Sequence, residues 1–142
     1  MKEHKTSSGE QTQALGADFA AGLSPGAVVC MHGPLGAGKT TFIQGVASFL
    51  GIQEAVTSPT FTIASAYEGT LPLYHIDVYR IDSTEEFELL GLEEYIYGKG
   101  VTFIEWSEKV EEALPPRLIH ITISINDDGT RTIVIDEPEE EP

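Results

Sequence analysis

The sequence predicts an α/β fold of three layers, with helices over a central sheet that mixes parallel and antiparallel strands. Three observations lead there. An apolar run, Ala27-Val28-Val29-Cys30-Met31, feeds a glycine-rich loop and then a helical pattern, which makes one strand–loop–helix unit. A second buried-strand candidate, Val101-Thr102-Phe103-Ile104, lies far downstream. Two stretches carry hairpin signatures, and hairpins are antiparallel, so the sheet cannot be all-parallel.

The elements follow in order. Residues 1–6 show no apolar pattern and are expected to be disordered. Ser7 with Glu10 resembles a capping box, and Leu15, Phe19 and Leu23 continue a helical face. Ser24-Pro25-Gly26 turns the chain into the first strand. Thr40 to Leu50 reads as a helix with Phe42, Ile43, Val46, Ala47 and Leu50 on one side, stopped by Gly51. Phe61 to Tyr67 and Leu71 to Val78 are two strands joined at Glu68-Gly69-Thr70. Asp82 or Ser83 caps a helix to about Leu90, and a short helical piece covers Leu92 to Tyr97. Ser107 to Ala113 gives one or two helical turns, ended by Pro115-Pro116. Leu118 to Ile125 and Thr130 to Ile135 form the last hairpin, turning at Asn126-Asp127-Asp128-Gly129. With no internal linker or repeat, residues 7–136 are expected to form a single domain, followed by an acidic tail at 137–142.

Composition narrows the function. The 142 residues are enough to bury a real core. No apolar run approaches the ~20 residues of a membrane span, and nothing resembles a secretory signal, so a cytoplasmic location with no membrane role is expected. One cysteine excludes an internal disulfide framework, and Cys30, inside the first strand, reads as a packed core thiol. Eight Lys+Arg stand against 23 Asp+Glu, a net charge of −15. Tight binding to a nucleic-acid backbone needs a basic stripe, and none is readable here. Any nucleic acid would be held by another subunit.

Gly33-Pro34-Leu35-Gly36-Ala37-Gly38-Lys39-Thr40 fits the phosphate-loop pattern GxxxxGK[ST] at every fixed position. Glycines let the backbone wrap phosphate oxygens with N–H groups inward, at a helix N-terminus that already attracts anions. The predicted fold is therefore P-loop NTPase-like. Gly33, Leu35, Gly36, Ala37, Gly38, Lys39, Thr40 and Thr41 are the expected nucleotide contacts, Lys39 reaching the terminal phosphates and Thr40 the Mg²⁺.

Partners for the loop lie downstream. Glu105, at the end of the second buried strand, is placed to hold Mg²⁺, with Trp106 beside it as a wall of the phosphate pocket or a core-filling aromatic. In His75-Ile76-Asp77-Val78-Tyr79-Arg80, period-2 alternation puts His75, Asp77 and Tyr79 on one face. Asp77 would help hold Mg²⁺ or orient the attacking water. His75 either tunes it or is a structural histidine, and Arg80 either neutralises phosphoryl charge or pairs with a carboxylate. Thr60, in Ser58-Pro59-Thr60-Phe61, is a candidate switch-loop contact to Mg²⁺ or the γ-phosphate; turn chemistry explains the same residues.

Taken together, GPLGAGKTTF at 33–42, SPTF at 58–61, HIDVYR at 75–80, ELLGLEEY at 88–95 and IEW at 104–106 resemble the TsaE (YjeE) family over about residues 7–135. The resemblance implies a mixed-sheet P-loop domain that binds ATP or ADP with Mg²⁺ and hydrolyses ATP slowly alone. It implies a role in threonylcarbamoyladenosine modification of tRNA next to the anticodon, with TsaD and TsaB as partners and tRNA met only through that complex. It places functional roles on Lys39, Thr40, Thr60, Asp77, Glu105 and Trp106, with Thr40, Glu105 and Asp77 at the metal and the region of Thr12 near the adenine. Two other readings are a nucleotide-dependent regulatory binding module and a small-molecule kinase. The kinase is disfavoured because its lid is usually rich in Arg, whereas Arg80, Arg117 and Arg131 are this chain's three arginines and they are scattered.

Overall fold

The structure, a computed structural model, describes residues 1–57 and 64–138. Seven strands make one sheet in the order β1-β7-β6-β2-β5-β4-β3. The strands are β1 (Lys2–Thr6), β2 (Val28–His32), β3 (Ala64–Tyr67), β4 (Leu73–Asp77), β5 (Val101–Glu105), β6 (Ile119–Ile125) and β7 (Arg131–Asp136). The four at the centre, β6, β2, β5 and β4, run parallel to one another, whereas β1–β7, β7–β6 and β4–β3 are antiparallel. The mixed sheet expected from the two hairpins is therefore present.

Strand alternation builds a core on each face. Val29, Met31, Val101, Phe103, Ile121 and Ile123 pack with Phe19, Phe42, Ile43 and Val46 of α1 (Gly9–Ala21) and α2 (Lys39–Phe49). Val28, Cys30, Ile76 and Ile104 face the other way, onto Phe87 of α3 (Thr84–Leu89) and Ile96 of α4 (Glu93–Ile96). Cys30 is wholly buried, and burial pushes its thiol pKa up, as suits an inert core thiol. On the first face α1 and α2 meet at glycines: a Cβ on Gly45 would lie 2.0 Å from the Gln13 carbonyl oxygen, and one on Gly16 would lie 2.2 Å from that of Phe42. The two backbones touch, which brings the start of α1 beside the start of α2.

Three expectations need correction. Residues 1–6 are not disordered: Lys2 to Thr6 pair with Ile135 to Arg131. Lys2, Glu3 and Lys5 are exposed, so this edge strand is held by backbone bonds and leaves no apolar trace in the sequence. The cap of α1 is Ser8, not Ser7. Its side chain accepts from Gln11 N–H at 3.1 Å, and Gln11 Oε1 accepts in turn from Ser7 N–H at 2.7 Å, so Gln11 takes the part expected of Glu10. Tyr79 does not share the face of His75 and Asp77, because β4 ends at Asp77 and the chain turns.

Elsewhere the elements agree. Gly51 ends α2 with φ +74°. Ser83, the second of the two candidates, caps α3 by accepting from Glu86 N–H. Two short 3₁₀ turns, Ser107–Lys109 and Glu111–Ala113, follow β5. The last turn has Gly129 at φ +86°, which only glycine adopts without strain. Thr60 and the first part of the strand expected from Phe61 lie outside the described residues.

Candidate functional site

The central strand β2 ends at His32 and delivers the chain into the glycine loop at the C-terminal edge of the sheet, where α2 begins. Gly33, Gly36 and Gly38 all have positive φ (142°, 82° and 113°), conformations that a Cβ would strain. At Gly33 a Cβ would also run into the Ile123 carbonyl oxygen at 2.4 Å. Leu35 is 98% exposed at the tip, so its contribution to a ligand is its backbone. Gly38 is the N-cap of α2 and provides no side-chain cap hydrogen bond, so the helix starts on backbone N–H groups, the kind of terminus that attracts anions. Lys39, Thr40 and Thr41 follow in that turn.

Lys39 Nζ donates to Gly33 O at 2.9 Å and lies 3.2 Å from Glu105 Oε1. Glu105 ends β5, directly beside β2, so adjacent parallel strands deliver the cation and the carboxylate to one place. The other oxygen, Oε2, accepts from His75 Nε2 at 2.8 Å. Burial opposes ionisation of Glu105, yet the hydrogen bond and charge of His75, followed by Lys39, outweigh it and hold the carboxyl below its ordinary value. His75 is fully buried and its Nδ1 has no hydrogen-bond partner among the described residues, so the ring's polar engagement is with Glu105. Among the described residues His75 therefore bonds Glu105 and not Asp77. Asp77 sits opposite Glu105 in the β4–β5 register, and its Oδ1 accepts from Tyr79 N–H at 2.9 Å.

Trp106 is the non-glycine residue among those described that takes a left-handed conformation, φ 65°. Such a residue costs about 1–3 kcal/mol and persists where its surroundings hold it. The indole is 40% exposed and packs on Tyr79, ring centroids 4.9 Å apart. Lys109 also holds Tyr79, its Nζ 4.9 Å from the ring centroid and bonded to Tyr79 O. Trp106 is thus a pocket wall: with Met31, His32, Gly33, Lys39 and Glu108 it lines a cavity of about 120 Å³. Arg80 is exposed and, among the described residues, makes no ion pair.

On its other side the loop borders a cavity of about 290 Å³, between Gly36, Ala37, Gly38 and Thr41 and the start of α1 at Ser7, Ser8, Gly9 and Thr12. The Thr12 hydroxyl donates to Ser8 O and bonds Thr6 Oγ1, while its methyl faces Gly38. Thr12 therefore belongs to this cavity and stands apart from the Lys39–Glu105–His75 cluster. Arg131 also lines it and was not singled out by the sequence. Its guanidinium bonds the carbonyls of Gly36, Ala37 and Gly129.

A mixed α/β sheet whose central strand enters a glycine loop, with a lysine at the helix start and a carboxylate closing the neighbouring strand, defines the P-loop NTPase-like class. Among known proteins, the family model described as threonylcarbamoyl adenosine biosynthesis protein TsaE matches residues 6–133. The chain belongs to the TsaE family. It is 49% identical over 113 residues to the tRNA threonylcarbamoyladenosine biosynthesis protein TsaE of Treponema pallidum, covering 80% of this chain and 84% of that one. It is 48% identical over 136 residues to the protein of the same name from Bacillus subtilis, covering 94% and 85%. A crystal structure of Bacillus subtilis YdiB superposes with a TM-score of 0.83 at 42% identity, over 96% of this chain and 84% of that one.

Proposed function

We propose that this protein binds ATP and ADP with Mg²⁺ and hydrolyses ATP slowly, in the service of threonylcarbamoyladenosine formation on tRNA. The observation that carries the reading is the Lys39 ammonium, held between Gly33 O and Glu105 at the mouth of a helix start that has no side-chain cap. Phosphate oxygens are the ligand this arrangement suits, and the cavity on the Thr12 side has room for a nucleoside.

The donors at hand also fit Mg²⁺. They are oxygens, from the Thr40 hydroxyl and the carboxylates of Glu105 and Asp77, and Mg²⁺ takes one or two carboxylates together with substrate phosphates. Bound there, the ion would be held by Thr40, Glu105 and Asp77 and would offset the charge of the substrate phosphates. The chain's own groups do the rest. Backbone N–H groups of residues 36–40 other than that of Ala37, which bonds Pro34 O, stabilise charge on the γ-phosphoryl oxygens together with Lys39 as water attacks. Glu105, kept ionised by its partners and oriented by His75, or Asp77 beside it, aligns that water. Trp106 limits solvent at the pocket. Thr60 remains the candidate contact from the 58–61 segment.

The names of the relatives support the tRNA modification role. TsaB and TsaD are the proposed partners, with tRNA reached through them, in the cytoplasm. No helix among the described residues is long and apolar enough to cross a membrane. Titration calorimetry with ATP and ADP in magnesium buffer tests the reading directly. Saturable heat from wild type, with hydrolysis lost in Lys39→Ala and its Mg²⁺ dependence weakened in Glu105→Ala, is the expected result. Folded wild-type protein that gives no heat with either nucleotide overturns it.

A further inference from the structure

We propose that Arg131 is a positioning residue for the phosphate loop: its guanidinium holds the Ala37 carbonyl and so turns the Gly38 N–H toward the bound anion, while a longer bond to Gly36 O steadies the neighbouring peptide. This deepens the nucleotide reading above and rests on it.

The argument begins with the peptide plane. C=O and N–H point in opposite directions across a trans peptide, so fixing one fixes the other. Arg131 Nε donates to Ala37 O at 2.9 Å, which sets the plane carrying Gly38 N–H. Among the described residues nothing accepts from that N–H, and it lies at the start of α2, where an anion would sit. Nη2 reaches Gly36 O at 3.4 Å, on the plane that carries Ala37 N–H, whose partner is Pro34 O at 3.1 Å.

Other bonds hold the loop at Gly33, through Lys39, and within its turn, from Ala37 N–H to Pro34 O, but its tip packs on little. Leu35 is almost wholly exposed, and a Cβ on Gly36 would meet nothing within 4 Å. Its alternating glycine conformations make a nest for an anion, but glycine backbone is also the least constrained. Arg131 is well anchored by comparison. It opens β7, pairs with both Thr6 of β1 and Ile125 of β6, and donates Nη1 to Gly129 O at 2.6 Å. Arg131 reaches its three carbonyls from three separate nitrogens of a rigid plane, whereas a lysine carries its three donors on one nitrogen at the end of a flexible stem.

The test uses inorganic pyrophosphate and ADP in magnesium buffer, titrated calorimetrically into wild type, Arg131→Lys, Arg131→Ala and the control Lys5→Ala. Lys5, on β1, makes an exposed pair with Asp128 of the turn that holds Gly129, and it lines neither of the two cavities beside the loop. Both Arg131 variants should lose affinity by roughly tenfold or more, the scale of charge-assisted hydrogen bonds. Lysine should fail to rescue, and pyrophosphate should be affected as much as ADP. Lys5→Ala should bind like wild type.

Wild-type affinity in a cooperatively folded Arg131→Lys overturns the proposal alone. So does a loss confined to ADP, which would put Arg131 at the nucleoside instead. Wild type that binds neither probe overturns the nucleotide reading, and this proposal with it. Should the variants not fold, ¹⁵N NMR of the wild type decides. The Arg131 Nε–H must stay protected from exchange when pyrophosphate binds while the Gly38 amide resonance shifts, and loss of that protection overturns the proposal.

Discussion

Two residues at the end of the central strands make the protein sensitive to acid in separable ways. His32 Nε2 and His120 Nδ1 lie 2.9 Å apart, an arrangement in which one ring nitrogen must accept from the other. Burial, and then His120, push His32 below its ordinary value of 6.5, against the pull of Glu108. The native state therefore takes up this proton at lower pH than the unfolded chain does. The stabilisation is complete above about 6.5 and is lost as pH falls through the lower native value. Glu105, also held below its ordinary value of 4.5, follows the same rule in a more acidic window. The urea midpoint should fall between about pH 7 and about pH 5.5, and His32→Asn should flatten that slope. An unchanged slope in the variant would remove His32 from the account. At this scale, what the sequence made legible was chemistry tied to local backbone. The loop glycines are recognisable because their positive φ favours glycine, Lys39 and Thr40 because they follow at the spacing of the motif, and Glu105 because it closes a buried strand. Arg131 was illegible: it reaches Ala37 across 94 positions, and nothing near it hints at a carbonyl clamp. His75 was visible, but its bond to Glu105 depends on the register of β4 against β5.

Elements were readable where one face is apolar and unreadable where backbone alone holds them. α2 and β5 announce themselves by their buried positions; β1 does not, since an edge strand needs only hydrogen bonds. The α1–α2 crossing falls between these cases. Gly16 and Gly45 sit inside helical patterns, where glycine is ordinarily unfavourable by about 1 kcal/mol relative to alanine. Their value appears only in the packed pair, where each faces the other helix's backbone. Gly45→Ala should therefore destabilise the fold despite its better helix propensity, by about 1–3 kcal/mol or more, because the obstruction is a carbonyl and not a side chain that can swing away. Denaturant unfolding measures it, and a stability equal to or above wild type would mean that the helices can separate cheaply. The same substitution should disturb the cavity lined by Thr12 and Gly38, whose two walls this crossing sets in place.

The whole molecule carries a net charge of −15, and this governs what it meets. A polyanion of this size repels the phosphate backbone of RNA across about a Debye length, ~8 Å at physiological salt. Free protein should leave the electrophoretic mobility of tRNA unchanged at ~0.15 M salt. A saturable shift without other proteins present would contradict the proposal that tRNA is reached through partners. Charge of this sign does not exclude a nucleotide, because in the proposed reading phosphate meets Lys39 and the N–H groups at the start of α2. Finally, the chain has a single tryptophan, and it stands in the wall of the cavity that Lys39 also lines. Its indole is an intrinsic fluorophore: selective excitation reads one position in the protein, and that position borders the phosphate loop. Changes in emission colour, lifetime or collisional quenching therefore track events at the pocket mouth with no label attached.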